Sequence, residues 1–197
     1  LIRSLEKVLT IPISIDTYKA SVANEAITVG ASAINDVWSF KRDPNIAKVA
    51  ADTGVPIILT HNQSHTHYHD VLSEVIGDMA SSLKDAIGAG ISRGKIMLDP
   101  GIGFGKNTAD NLTILRRIGE FRSTLGRPIL IGPSRKSTIG QILGGLPPNE
   151  RLEGTAATVS LAIAQRVDMV RVHDVKEISR IVTVSDAIIR GWHGLAE

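Results

Sequence analysis

Asp99-Pro100-Gly101-Ile102-Gly103-Phe104-Gly105-Lys106 is the stretch of this chain best suited to chemistry. An apolar run, Ile96-Met97-Leu98, delivers a carboxylate, and three glycines follow within five residues. Glycine is favoured where φ must be positive or where another group must approach the backbone closely. A strand that carries an acid to its C-terminal tip and then turns sharply is a common way for α/β enzymes to build sites. Polar tips recur after the other apolar runs: Ser14-Ile15-Asp16-Thr17, Ile34-Asn35-Asp36, Thr60-His61-Asn62, Ser134-Arg135-Lys136-Ser137 and Arg171-Val172-His173-Asp174. Gathered around one cavity, these tips put carboxylates and amides at its centre and cations on one flank. Carboxylates with an Asn can pair with a planar heterocycle presenting adjacent N–H donors, as an acid pairs with guanidinium. Lys136, Arg171 and His173 suit a phosphate-type anion.

Taken singly, each tip has an ordinary structural reading. Asp16 suits the cap of a following helix. Asn35-Asp36 suits an Asx turn. Asp99-Pro100-Gly101 is a turn in its own right, Ser134 to Ser137 a helix start, and Arg171 with His173 a surface ladder. Turn chemistry alone does not account for polar groups at every strand end.

The elements that must position these groups alternate along the chain. Strands are predicted over Ile11 to Asp16, Ala31 to Val37, Pro56 to His61, Lys95 to Asp99, Pro128 to Gly132 and Met169 to His173, rich in branched residues and mostly bounded by Gly or Pro. Helices are predicted over Tyr18 to Val29, Pro44 to Thr53 with Asp43 as N-cap, Asp70 to Ile91, Asp110 to Thr124, Asn149 to Gln165 and Val175 to Ile189. Strands joined by helices of this length imply parallel neighbours and right-handed crossovers. The count is six βα units, with Ile2, Leu5 and Leu9 read as the back of a preceding helix. An open doubly wound sheet is the competing architecture. Polar tips at every strand, and the lack of a Gly-x-Gly-x-x-Gly loop after the first strand, favour an incomplete (β/α)₈ barrel of α/β class, the TIM barrel, in a single domain over residues 1–197.

Composition narrows the partners. A formal net charge of +2 without a long basic stripe argues against nucleic acid. The chain has no cysteine, hence no disulfide framework or thiolate metal site. No apolar stretch approaches the ~18 residues of a membrane span.

The ordered set Ser-Ile-Asp-Thr, Ile-Asn-Asp, Leu-Asp-Pro-Gly-Ile-Gly-Phe-Gly-Lys, Gly-Pro-Ser-Arg-Lys-Ser and Arg-Val-His-Asp resembles the dihydropteroate synthase family, from Leu1 to Trp192. That resemblance implies a transferase of folate biosynthesis on a TIM barrel, joining 6-hydroxymethyl-7,8-dihydropterin diphosphate to 4-aminobenzoate. It implies that Asp16, Asn35, Asp99 and Lys136 bind the pterin, and that Lys136, Asp99 and Asp16 are the catalytic set. Arg171 and His173, with Asn62 nearby, are implied for the diphosphate, and Phe104, Ser134 and Ser137 for the aminobenzoate. Mg²⁺ on the diphosphate, a cytoplasmic location and a homodimer through the last helices are implied as well.

The chain departs from that family in three ways. The family's first two strands, with an Asn that contacts the metal and two mobile loops, have no counterpart here. The six units correspond to strands 3–8, no metal ligand is expected in this chain, and the chain alone is expected to be inactive or badly impaired. Thr60 stands where the family more often has a Met that packs on the pterin. The loop carrying His61, His65, His67 and His69 is rich in histidine, and His65-x-His67-x-His69 raises a metal-dependent amidohydrolase as a rival. A non-catalytic pterin-binding barrel and a pterin-dependent methyltransferase are two further rivals; neither has a use for the cations at Lys136, Arg171 and His173.

Overall fold

A computed structural model of the chain describes residues 1–192 and 194. After a short helix α1 (Ile2–Leu5), strands and helices alternate as β1 (Ser14–Asp16), α2 (Ala20–Thr28), β2 (Ala33–Asp36), α3 (Asn45–Thr53), β3 (Ile57–Thr60), α4 (Val71–Gly88) and β4 (Ile96–Asp99). Then come α5 (Thr108–Arg116), α6 (Gly119–Leu125), β5 (Leu130–Ile131), α7 (Ser137–Ile142), α8 (Leu152–Ala164), β6 (Met169–Val170) and α9 (Val175–Arg190).

Every strand pairing is parallel. Strands β1 to β4 lie in sequence order, β5 pairs with β6, and a single bridge from Leu98 to Ile129 joins the two groups. The six strands therefore run in the order of a barrel wall and not in the reversed order of a doubly wound sheet. In a flat sheet β2 and β6 would lie about 19 Å apart, four inter-strand spacings. The Arg171 guanidinium, just past β6, nevertheless bonds Asn35 of β2 at 2.8 Å. Only a strongly curled sheet allows that contact. The architecture is an incomplete TIM barrel, with β1 and β6 as the free edges among the described strands. A cavity of about 830 Å³ opens between them, lined by Ile11, Ser14, Ile58, Leu130, Met169 and Arg171 among others.

Strand alternation sorts side chains into two faces. Ile34, Ile57, Leu59, Ile96, Leu98, Ile129 and Ile131 face outward under the helices and form one buried core with Ile46, Val75, Met79, Ile114 and Phe121. A smaller cluster, Val159, Ile163 and Ile178, seals α8 to α9. The residues between, among them Ile58 and Asn35, face the barrel interior.

Several predicted boundaries need correction, and β1, β5 and β6 are shorter than the strands expected over Ile11 to Asp16, Pro128 to Gly132 and Met169 to His173. The single helix expected from Asp110 to Thr124 is two. It begins earlier, at Thr108, with a capping box between Asn107 and Asp110, and it breaks after Arg116. A Cβ on Gly119 would come within 3.2 Å of the Gln165 carbonyl, so the chain at the break is pressed against the end of α8. The short helix α7 has only its start, at Ser137, marked in the sequence. Asp43 does act as a cap, and for two helices: it accepts from the Asn45 amide at 3.1 Å and from the Ala20 amide at 2.8 Å.

Candidate functional site

The C-terminal strand tips meet as the sequence predicts. The α2 N-terminus is capped by Asp43, while Thr17 accepts from the Lys19 amide at 3.1 Å, so Asp16 is not consumed as a cap. Asp16 instead accepts from Asn35 Nδ2 at 2.9 Å. Asn35 Oδ1 in turn accepts from Arg171 Nη1 at 2.8 Å, and Arg171 Nη2 donates to Asp99 Oδ2 at 3.2 Å. The other Asp99 oxygen accepts the Gly101 amide at 2.8 Å. Asp16, Asn35, Arg171 and Asp99 thus form one connected row drawn from four different strand ends. Asp36, next to Asn35, points the other way and makes an Asx turn, accepting from the Trp38 and Phe40 amides at 2.9 and 2.7 Å.

Asp99 is buried, and burial pushes its carboxyl up from the usual carboxylate range. Arg171, the Gly101 amide, Lys106 and Lys136 oppose that shift. The carboxylate is therefore supported by cations on several sides, as a buried charge must be.

The glycine turn behind Asp99 wraps a buried ammonium. Gly101, Gly103 and Gly105 all have positive φ. A Cβ on Gly101 would fall 1.9 Å from the His61 carbonyl oxygen, so no larger residue fits there. Lys106 Nζ donates to the Gly101 and Phe104 carbonyls at 3.1 and 2.9 Å and to His61 Nδ1 at 2.9 Å. Burial lowers Lys106 to about 7, with Asp99 and Asp110 pulling the other way. His61 is driven down to about 3, first by burial and then by Lys106 and Lys41. The neutral ring then accepts a hydrogen bond from Lys106 Nζ on Nδ1 and offers Nε2–H to Asp78 at 3.4 Å. In the sequence, Lys106 stands inside its motif with no role of its own, and His61 is read only as part of the histidine-rich loop. The signal available was a lysine closing a glycine run, with a histidine at a neighbouring tip.

The cationic flank is built from the two tips at β5 and β6. Lys136 Nζ stands 4.1 Å from the centre of the Phe104 ring, and its stem lies where a Cβ on Gly103 would approach within 2.9 Å. Burial lowers its pKa, Asp99 raises it and Arg171 lowers it further. Ser134, assigned by resemblance to aminobenzoate, also holds His173: its hydroxyl lies 2.9 Å from His173 Nδ1 and accepts the His173 amide at 3.2 Å. That leaves His173 Nε2 for a ligand. Arg135 binds Asp174 through two nitrogens, one at 3.0 Å. Its backbone is left-handed, with φ 59°, and is held there by Thr155 Oγ1 on its amide at 3.2 Å and by Arg151 on its carbonyl at 2.7 Å. Neither Arg135 nor Asp174 was singled out from sequence. Ser137 is the exposed first residue of α7, and Asn62 is buried just beyond β3, its carbonyl facing Lys41 at 3.4 Å.

One placement differs from expectation. Arg171, expected on the anion flank, lies across Asn35 and Asp99. The curl of the sheet puts these two acceptors within reach of its fork, and two buried acceptors draw a planar donor pair.

The histidine-rich segment stays apart from this centre. His65, His67 and His69 are exposed between β3 and α4. Among the described residues no group of three or more His, Cys, Asp or Glu could hold a metal ion. The amidohydrolase rival therefore lacks its ligand set.

Comparison with known proteins agrees with the geometry. The model of the family described as "Pterin binding enzyme" matches residues 1–173. A dihydropteroate synthase of Bacillus subtilis is 50% identical over 188 residues, covering 95% of this chain and 65% of that protein. One from Clostridium beijerinckii is 46% identical, with 96% and 70% covered. The solved dihydropteroate synthase of Xanthomonas albilineans with 4-aminobenzoic acid superposes with a TM-score of 0.91 at 37% identity, covering 95% of this chain and 68% of that one. The chain spans about two thirds of the length of these relatives. By its matched residues, its open six-strand barrel and its row of strand-tip acceptors, the chain belongs to the pterin-binding enzyme family, among relatives that are dihydropteroate synthases.

Proposed function

We propose that this chain is the pterin- and diphosphate-binding part of a dihydropteroate synthase. One observation carries the reading: Asn35 Oδ1 and Asp99 Oδ2 accept two N–H groups of a single guanidinium. A pterin presents the same donor pair, its ring N–H and exocyclic amine flanking one carbon. Arg171 thus occupies the position that the heterocycle's edge would take. A ligand bound there displaces the Arg171 fork toward the flank that holds His173 and Lys136, where an anion would receive it.

The reaction assigned is displacement at the pterin's exocyclic methylene. The C–O bond breaks with its electron pair leaving on the diphosphate. The amine nitrogen of 4-aminobenzoate forms the new C–N bond and then loses a proton to solvent. The chain's part is electrostatic. Asn35 and Asp99 hold the ring, Asp16 orients Asn35, Arg171 and His173 neutralise the departing anion, and Lys136 lies between the ring site and Phe104. The aminobenzoate is assigned to the Phe104 and Ser137 side of the cavity. Mg²⁺ enters only as counter-ion to the diphosphate; the described residues offer no cage for it. A homodimer belongs to the same reading, supported by the exposed apolar face of Val184, Ile188 and Trp192.

Calorimetric titration of the chain with 6-hydroxymethyl-7,8-dihydropterin and with its diphosphate tests the proposal. Asp99→Asn should weaken both ligands by about fivefold to a hundredfold, since a buried acceptor becomes a donor facing a donor, a cost of roughly 1–3 kcal/mol. Arg171→Ala should weaken the diphosphate form selectively. Equal losses for both ligands with Arg171→Ala would overturn the anion assignment, and failure of the wild-type chain to bind either would overturn the pterin site.

A further inference from the structure

Thr60 is fully buried, and its hydroxyl has no hydrogen-bond partner. An orphaned buried hydroxyl is costly and rare in a well-packed domain. Its backbone is not the reason: the Thr60 carbonyl accepts from Ser39 Oγ at 2.9 Å. The side chain alone is unserved.

Three features fix where that hydroxyl stands. Ile57 and Leu59 belong to the outer core, while Ile58 lines the interior cavity, so alternation puts Thr60 on the interior face of β3. Thr60 is in register with Asp99 on β4, and Asn35 on β2 is in register with Ile58. Strand β3 lies between β2 and β4. The Arg171 guanidinium, which bonds Asn35 on one side and Asp99 on the other, must therefore cross β3 between Ile58 and Thr60. No hydrogen bond joins Arg171 to that hydroxyl.

We infer that Thr60 is a specificity-determining contact for the heterocycle, its Oγ1 hydrogen-bonding a ring nitrogen or the carbonyl of the ligand that replaces the Arg171 fork. This rests on the pterin-site reading above and adds a third polar group, between Asn35 and Asp99, to the two acceptors. The hydroxyl can give or take a proton, so it complements a ring edge that carries both donors and acceptors. Leaving it unpaired in the empty site favours any ligand that supplies the missing partner and disfavours one that presents only C–H there.

The test uses the whole chain and 6-hydroxymethylpterin as probe, with binding followed by titration and stability by thermal unfolding. Thr60→Val keeps the shape and removes the hydroxyl. It should weaken the probe about five- to tenfold, the worth of one hydrogen bond, and leave the ligand-free Tm unchanged or higher. Thr60→Ser should bind within about twofold of wild type on the same principle. Asp99→Asn serves as the control for the site itself. If Asp99→Asn loses the probe while Thr60→Val binds it as wild type does, Thr60 has no role in recognition and the inference fails alone. A Tm lowered by several degrees in Thr60→Val would mean the hydroxyl is already satisfied, which also overturns it. No binding by the wild-type chain removes the pterin reading and this inference together.

Discussion

The Arg171 guanidinium reaches the buried Asp99 carboxylate at 3.2 Å, from a strand two places along the sheet. Asp99 is almost wholly enclosed and Arg171 is 38% exposed at its side chain. The pair thus joins the dry floor of the site to its open mouth. It closes the row Asp16–Asn35–Arg171–Asp99 on which the fold and the proposed chemistry both depend.

Removing the cation should expose that dependence. In Arg171→Ala, Asp99 loses the largest of the influences that hold its pKa down. Its folded-state pKa should rise further, and the variant should be less stable by about 1–3 kcal/mol at neutral pH. The deficit should shrink as pH falls through the carboxylate range, where Asp99 is protonated with or without Arg171. Urea unfolding at several pH values measures this; a deficit of constant size at pH 3 and pH 7 would argue against the pair.

His61 should make stability acid-sensitive. Its folded pKa is lowered to about 3 from 6.5, chiefly by burial. The folded ring stays neutral while the unfolded one protonates. Its contribution is therefore present above pH 6.5 and is lost as pH falls from there toward 3, at up to about 1.4 kcal/mol per pH unit. The difference in unfolding free energy between wild type and His61→Gln should narrow across that window.

Lys106 should be needed for the order of the glycine turn. Lys106→Met leaves the Gly101 and Phe104 carbonyls and His61 Nδ1 without their donor. A loss of about 2–3 kcal/mol is expected, with faster amide exchange over residues 101–105 than over β4. Unchanged exchange in the turn would count against a clamping role.

Gly101→Ala should be among the most damaging single-methyl changes in the chain. The added carbon would meet the His61 carbonyl at 1.9 Å, on a residue with φ 73°. Roughly 2–4 kcal/mol is expected from backbone strain and overpacking. Gly54→Ala, also at positive φ but facing open space, should cost about 1 kcal/mol. Thermal unfolding of the two variants side by side separates close approach from conformation.

Arg135 combines a strained backbone with an ion pair. Arg135→Gly relieves the left-handed conformation and loses Asp174; Arg135→Ala loses Asp174 and keeps the strain. The alanine variant should therefore be the less stable of the two, by about 1 kcal/mol. Equal stabilities would place the whole effect in the ion pair.

Much of this was legible from the chain itself. Runs of branched apolar residues ending in Asp16, Asn35, Thr60, Asp99, Ser134 and Arg171 marked six strands and their tips, because a strand buried on both faces requires such runs. Gly101, Gly103 and Gly105 announced a tight turn by residue type alone. The break before Gly119 was not legible: there the chain lies against Gln165, a contact 46 residues away along the chain. Nor was the pairing of the tips. Sequence determined which polar groups stand at strand ends, since that is a matter of local pattern and turn chemistry. Only the curl of the sheet decided that Arg171 lies across Asn35 and Asp99, that Ser134 holds His173, and that the Thr60 hydroxyl is left without a partner. Those contacts join residues 39 to 136 positions apart, and no local preference specifies a contact between residues so distant along the chain.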